Sequence, residues 1–403
     1  MPSQSMVPLI LPKDKPLISK AASYKLNDIV VFKKKDRLIA HRIIYVSPNN
    51  NFFITKGDNN LSSDGKIKKE EILGKVTKVK RGNQVVDLFH VYLAQSFSYL
   101  RALKEVVKKL NSKKIPFIIL KGLPIHIFYT GKIPERLYVD VDILVRDRDF
   151  DGVTKILEKE DFVLVPSRFL GKRIKEPSQV SFVKPVKPFP IEIDLHQEPT
   201  PGFAKAREMN RLLPSSGSFS EYLSQNVKKI KIDGVTFPIL KTEAFSLYLL
   251  LHLFRHNFKG PHRFELLDTI FRREKINWKE VSNKLSLFDL KNFVYPGFLL
   301  LKSLYKTPIP KKFLEDISPN PGKKIFASII TKTVDPFSRR GRAFEGSQKA
   351  IFVLLLSPKG LKEKLKVLGN KKTLGYFFGV IKFLFSRTLM NSSKSARALL
   401  GVT

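Results

Sequence analysis

Ser5, His41 and Asp64 lie early in the chain, well ahead of a second group formed by Asp140, Asp142 and Asp194. A serine hydroxyl is a poor nucleophile at neutral pH. A histidine can take its proton, and a carboxylate can hold the imidazole in the productive tautomer. In 403 residues such a set arises readily by chance, so residue types alone do not single it out. Asp140-x-Asp142 falls in the alternating run LYVDVDILV (137–145), which points both carboxylates the same way. Asp194 sits on a later apolar run, IEIDL (191–195). Hard oxygen ligands converging from neighbouring strands suit Mg²⁺. Such ions activate a hydroxyl and stabilise the leaving pyrophosphate of an in-line phosphoryl transfer. A bare Asp-x-Asp equally describes one solvated strand face.

The elements that must position these groups change character along the chain. DIVVFK (28–33), RLIAHRIIYV (37–46), NFFITK (51–56) and ILGKVTKV (72–79) are β-branched and aromatic, broken by PNNN and GDNN, and predict a small all-β unit over 1–84. Helical spacing over 88–110, strand-like PFIIL (116–120), a short apolar helix, the Asp-x-Asp strand, a helix over 150–160 and the strand at 191–195 predict an α/β unit over 85–238. Helices at 243–258, 264–271, 278–287 and 290–305 fill 239–403 and end in a basic, aromatic tail. The expected fold is therefore multidomain: all-β, then α/β, then α-helical.

SMVP, DIVVF, HRII, FITKGDNN, Asp64 and EEILGKV, in that order, resemble the catalytic domain of type I signal peptidases, in the archaeal and endoplasmic-reticulum branch that uses Ser-His-Asp. The resemblance implies a serine endopeptidase of peptides or preproteins, with Ser5 as nucleophile, His41 as base and Asp64 as its orienting acid. Asp58 would support its loop or the histidine, and Met6 and Pro8 would shape the nucleophile turn, whose backbone N–H groups can stabilise an oxyanion. Members of that family carry a membrane helix just before the serine; four residues precede Ser5. FIILKG, PERLYVDVDILV and PIEIDLHQE resemble the uncharacterised nucleotidyltransferase family, a branch of the polymerase-β-like superfold. His252, His256, Arg263 and Asp268 resemble its C-terminal helices. This likeness implies Mg²⁺ on Asp140, Asp142 and Asp194, with Asp194 also the base for an unknown hydroxyl. It also implies an NTP whose phosphates meet Gly122, Lys121 and Arg136. Glu192 alternates onto the face of Asp194 and is its rival as third carboxylate, whereas His196 is expected to pack or hydrogen-bond locally.

Lys and Arg number 73 against 36 Asp and Glu, a formal charge of +37, and cysteine is absent. Disulfide scaffolds, thiolate metal sites and cysteine nucleophiles are excluded. The charge favours polyanionic partners without choosing among nucleic acid, nucleotides and an anionic membrane surface. An inert scaffold that holds such a partner is the alternative to a fused peptidase and nucleotidyltransferase. No run of apolar residues approaches the ~18 of a membrane span, so a cytoplasmic chain, peripheral at the membrane at most, is expected.

Overall fold

Four consecutive buried residues, Ile29 to Phe32, open the strand that carries the N-terminal core, and the surrounding strands alternate around it. A computed structural model describes residues 4–375 apart from Lys35, Val139, 166–178, Pro188, 200–206, 214–215, 339–341 and Lys372. The tail from residue 376 onward lies outside the described residues. β1 (Lys15–Ser19), β2 (Ile29–Lys34), β3 (Arg37–Val46), β4 (Phe53–Lys56), β5 (Gly65–Ile67), β6 (Ile72–Arg81) and β7 (Gln84–Asp87) form one antiparallel sheet in the order β1-β6-β2-β3-β4-β5, with β7 on β6. Val30, Phe32, Ile43 and Phe53 pack one of its cores, and Met6, Leu9, Val31 and Val79 another. The sequence reading found β2, β3, β4 and β6 but not the short or exposed β1, β5 and β7.

Asp87 caps α1 (Leu88–Ser112), its carboxylate accepting from Phe89 N at 2.9 Å. There follow β8 (Phe117–Lys121), α2 (Leu123–Thr130), β9 (Asp140–Val145), α3 (Phe150–Lys159), β10 (Val163–Val165), β11 (Gln179–Lys184), β12 (Ile191–His196), α4 (Ser216–Gln225), β13 (Val227–Ile232) and β14 (Val235–Leu240). The second sheet runs β10-β11-β12-β9-β8-β14-β13, with β12 parallel to β9 and β14 parallel to β8. β9, the Asp-x-Asp strand, is thus central, and it is shorter than the run 137–145 read from sequence.

α5 (Thr242–Arg255) is buried on nearly every side and anchors α6 (Pro261–Arg273), α7 (Trp278–Leu287) and α8 (Lys291–Leu300). The helix expected over 290–305 changes at Leu301 into a π turn, Leu301–Tyr305, five residues after Pro296. One apolar cluster runs from Tyr99 through the second sheet into the helices as far as Val367. The expected boundary at 238/239 falls within β14 and inside this cluster, and that at 84/85 falls within β7.

Candidate functional site

β3 turns His41 toward the N-terminal turn, where it is 6% exposed. Its Nε2 lies 2.9 Å from Ser5 Oγ and its Nδ1 2.7 Å from Asp64 Oδ2. Thr55 Oγ1 donates to the same Asp64 oxygen at 2.8 Å, fixing the carboxylate from β4. Met6 is buried at 3% exposure and its carbonyl accepts from Ile10 N at 3.0 Å, which ties the turn to the core. Asn59 N donates to Ser5 O at 2.8 Å. Gly57 is needed for this approach, because a Cβ there would stand 2.7 Å from Ser5 O and 2.9 Å from His41 Nε2. The sequence likeness brought Ser5, His41 and Asp64 to notice, and Thr55 escaped it.

Asp58 does not bond His41. Its two oxygens accept from Arg42 Nε and Nη2, both at 2.7 Å. Neighbours on a strand point to opposite faces, so Arg42 leaves the Ser5 side and meets α1 and the segment that precedes β9. There its Nη1 donates to Asn27 O at 3.0 Å, Tyr92 Oη at 3.1 Å and Glu135 O at 3.0 Å. Asp58 therefore supports its loop through Arg42, a residue whose role no local pattern announced.

In the second sheet the parallel register pairs Glu192 with Asp140 and Asp194 with Asp142. All four acids therefore share one face, but they separate by depth. Asp142 is 2% exposed and Asp194 9%. Ligand atoms of Asp142, Asp194 and His196 lie within 4.8 Å of one another. His196 Nε2 stands 3.4 Å from Asp142 Oδ1, an ion-pair separation rather than a hydrogen bond. His196 is thus buried beside Asp142 and Asp194, with a ring nitrogen near enough to share an ion with them, and Asp140 stands outside that group. Lys121 lines the cleft and pairs with two of these acids. Its Nζ lies 2.7 Å from Asp140 Oδ2 and 3.4 Å from Asp142 Oδ2.

Burial disfavours charge on Asp142, but Lys121 and then His196 outweigh it and hold the carboxyl below its ordinary range. Burial and the neighbouring Asp142 push Asp194 up, against a hydrogen bond from Ser181. Burial, then Asp194 and Asp140, likewise raise Glu192. An acidic site that keeps one carboxylate ionised and makes its neighbours more basic can hold a cation and also accept a proton.

Lys121, Gly122, Arg136, Asp140 and Glu192 line a cleft of about 410 Å³, closed from the helical side by His252, His262, Arg263 and Glu265. Gly122, at φ +116°, begins α2 where a Cβ would lie 3.0 Å from Tyr99 Oη and 3.1 Å from Val141. Glycine is required by both backbone and space. Arg136 Nη2 donates to Tyr138 Oη at 2.6 Å and its guanidinium lies over the Tyr138 ring. The rings of His252 and His256 meet at a tilt of 34° with centroids 4.5 Å apart, and burial, then Arg263, drives both well below the ordinary histidine range. Both are thus held in the neutral form, His252 at the cleft wall. Asp268 accepts from Thr307 Oγ1 at 2.7 Å and from Arg272, away from the acids.

A family model described as an uncharacterised nucleotidyltransferase matches residues 89–306, more than half of the chain. The chain belongs to that family. The match begins one residue inside α1 and takes in β8, β9, β12 and the helices through the π turn, so the cleft lies within its span. Solved structures similar to this chain include JHP933 from Helicobacter pylori, at 12% identity over 59% of this chain and 92% of that one, with a TM-score of 0.29. An antigenic nucleotidyltransferase-like protein from Paracoccidioides brasiliensis is similar at 13% identity over 49% and 92%, with a TM-score of 0.30. No curated protein matches. None of these comparisons supports the signal-peptidase likeness of the β unit.

Nucleotidyltransferase-like domains usually use a divalent metal. The residues present fit one. Asp142 Oδ1 is buried without a hydrogen-bond partner, and a second carboxylate and an imidazole nitrogen converge on it. Among the described residues no helix is long and apolar enough to cross a membrane.

Proposed function

We propose that the chain moves a nucleotidyl group from an NTP to a hydroxyl acceptor, with Mg²⁺ or a similar ion at the acidic cluster. The observation that carries this reading is that Asp140 and Glu192 line the cleft beside Lys121, while Asp142 and Asp194, paired in register two residues further along the same strands, are buried next to them. Asp142 and Asp194 would hold the ion, with Asp140 completing the set once Lys121 leaves it. When bound, the ion neutralises charge on the transferring phosphoryl group. Gly122 lets backbone approach the phosphates, and Lys121 and Arg136 offset their charge. The acceptor oxygen bonds to the α-phosphorus, the bond from that phosphorus to the pyrophosphate oxygen breaks, and pyrophosphate leaves with the electron pair. The acceptor's proton goes to Glu192, which lines the cleft; Asp194, its rival in the sequence, lies deeper. Metal-dependent NTP binding should vanish in Asp140→Ala with Asp142→Ala. Binding unchanged in that double variant refutes the metal site.

The hydrogen bonds that join His41 to both Ser5 and Asp64 favour a second activity in the β unit: peptide-bond hydrolysis through an acyl-enzyme. Ser5 Oγ would attack the carbonyl carbon as His41 Nε2 takes its proton. The proton then passes to the leaving amine, and water releases the acyl group by the reverse route. A fluorophosphonate probe should label the full chain and fail on Ser5→Ala; labelling that persists there removes Ser5 as nucleophile. If neither site reacts but nucleic acid binds with steep salt dependence, the scaffold reading takes over.

A further inference from the structure

Behind the cleft lies a second cavity of about 440 Å³, and its walls come from all three parts of the chain. Val7, Pro8 and Ile44 belong to the β unit, Phe189 and Pro190 precede β12, and Pro336 and Phe337 follow the last turn of the helix Pro321–Thr333. Arg136, Leu137, Tyr138, His262 and Glu265 line both cavities, so the two adjoin through one wall. A transferase needs its acceptor beside the nucleotide, and in this chain the adjoining space is apolar over most of its lining.

We propose that this second cavity is the acceptor site of the nucleotidyl transfer, and that its occupant is a neutral, largely apolar peptide segment presenting a Ser, Thr or Tyr hydroxyl through the shared wall. The proposal rests on the nucleotidyltransferase reading above and assigns the β unit a part in it. Charge argues against an anionic acceptor despite the basic surface. Arg42 is engaged by Asp58, Lys56 Nζ donates to Asn60 O at 2.9 Å, and Arg136 has Glu265 close by. Continuity argues for a peptide. Val7 and Pro8 are part of the Ser5 turn, so a chain lying along this wall reaches from the nucleotide cleft toward the serine. In the transfer the peptide hydroxyl gains the bond to the α-phosphorus, pyrophosphate departs, and the hydroxyl proton passes to Glu192.

The test uses the full chain, Mn²⁺, the four α-labelled NTPs and two probe acceptors, N-acetyl-Leu-Ser-Leu-amide and N-acetyl-Leu-Tyr-Leu-amide, with glycerol as the hydrophilic control. Label should enter a peptide and not glycerol. Ile44→Trp fills the cavity and should lower peptide labelling about tenfold or more, with nucleotide binding by equilibrium dialysis held within about twofold. Phe337→Ala widens it and should raise the peptide KM about fivefold at unchanged nucleotide binding, so one variant suffices if the other fails to fold. Labelling of glycerol in preference to both peptides, or peptide labelling indifferent to both substitutions, overturns the acceptor site while nucleotide binding persists. Wild type that binds no nucleotide overturns the nucleotidyltransferase reading instead, a separate result.

Discussion

Glu265 stands in the wall between the two cavities, and burial pushes its carboxyl from 4.5 up to about 7, with Arg136 pulling down and Asp268, one turn along α6, pushing up. The fold thus prefers the protonated acid. Below pH 4.5 folded and unfolded chains are both protonated and this contribution to stability is complete. As pH rises through about 7 the folded chain must also ionise and the contribution is lost. The rise from 4.5 to about 7, at about 1.4 kcal/mol for each tenfold change in acidity, sets an upper figure of about 3.5 kcal/mol. Glu265→Gln keeps the shape and stays neutral. The variant should match wild type at pH 4 and exceed it by up to about 3.5 kcal/mol at pH 8, a rise in Tm of roughly 4–6 °C for a cooperative unit of this size. The chain's one tryptophan, Trp278, packs against Phe271 at 5.1 Å and Phe313 at 4.6 Å, so its fluorescence reports unfolding of the helical part that carries Glu265. Parallel Tm profiles for the two proteins across pH 4–8 would refute the argument that burial outweighs Arg136 here.

Three more outcomes follow from the same geometry. Gly57→Ala drives a methyl group against Ser5 O and His41 Nε2 and should cut fluorophosphonate labelling about tenfold, at a cost of about 1–3 kcal/mol in stability by chemical denaturation. Arg42→Met leaves Asp58 without its bidentate partner and strips Glu135 O of a donor; unfolding free energy should fall by about 3–5 kcal/mol, whereas a surface pair would barely register. Gly122→Ala adds a side chain at φ +116° against Tyr99 and Val141, so nucleotide affinity, read by equilibrium dialysis, should drop about tenfold or more.

The strand bearing Asp140 and Asp142 was legible because its residue types alternate at Asp140–Ile143, which places two carboxylates on one face, although β9 is buried at every position but the first. β12 was legible for the same reason. The hairpin of β13 and β14 carries a strong turn signal of its own in Asp233-Gly234, both at positive φ between Ile232 and Val235, which the expected elements do not include. β1 escaped because it is mostly exposed and lacks an apolar face to betray it. The site shows the deeper limit. Residue types identified the acids, but their sorting into a deep pair with His196 and a shallow pair beside Lys121 depends on register and depth, which one strand's sequence does not carry. Arg42, Tyr138 and Glu265 act through partners from distant segments, and a charged residue in a sequence reads as solvated until its partner is placed.

Arg42 gives the joint between the β unit and the nucleotidyltransferase domain a physical reason to be rigid. One guanidinium holds Asp58, in the loop where Asn59 grips the carbonyl of Ser5, and also holds the carbonyl of Glu135, next to Arg136 in the cleft wall. A freely swinging pair of domains would have no use for such an arrangement, because each hydrogen bond lost on opening would strand a charge that is now 5% exposed. The bonds run without a gap from the turn of the serine to the wall of the cleft, through a side chain too well satisfied to move alone. Loosening that joint should therefore disturb both sites together. If Arg42→Lys impaired Ser5 labelling and left nucleotide binding untouched, the two halves would have to be positioned independently.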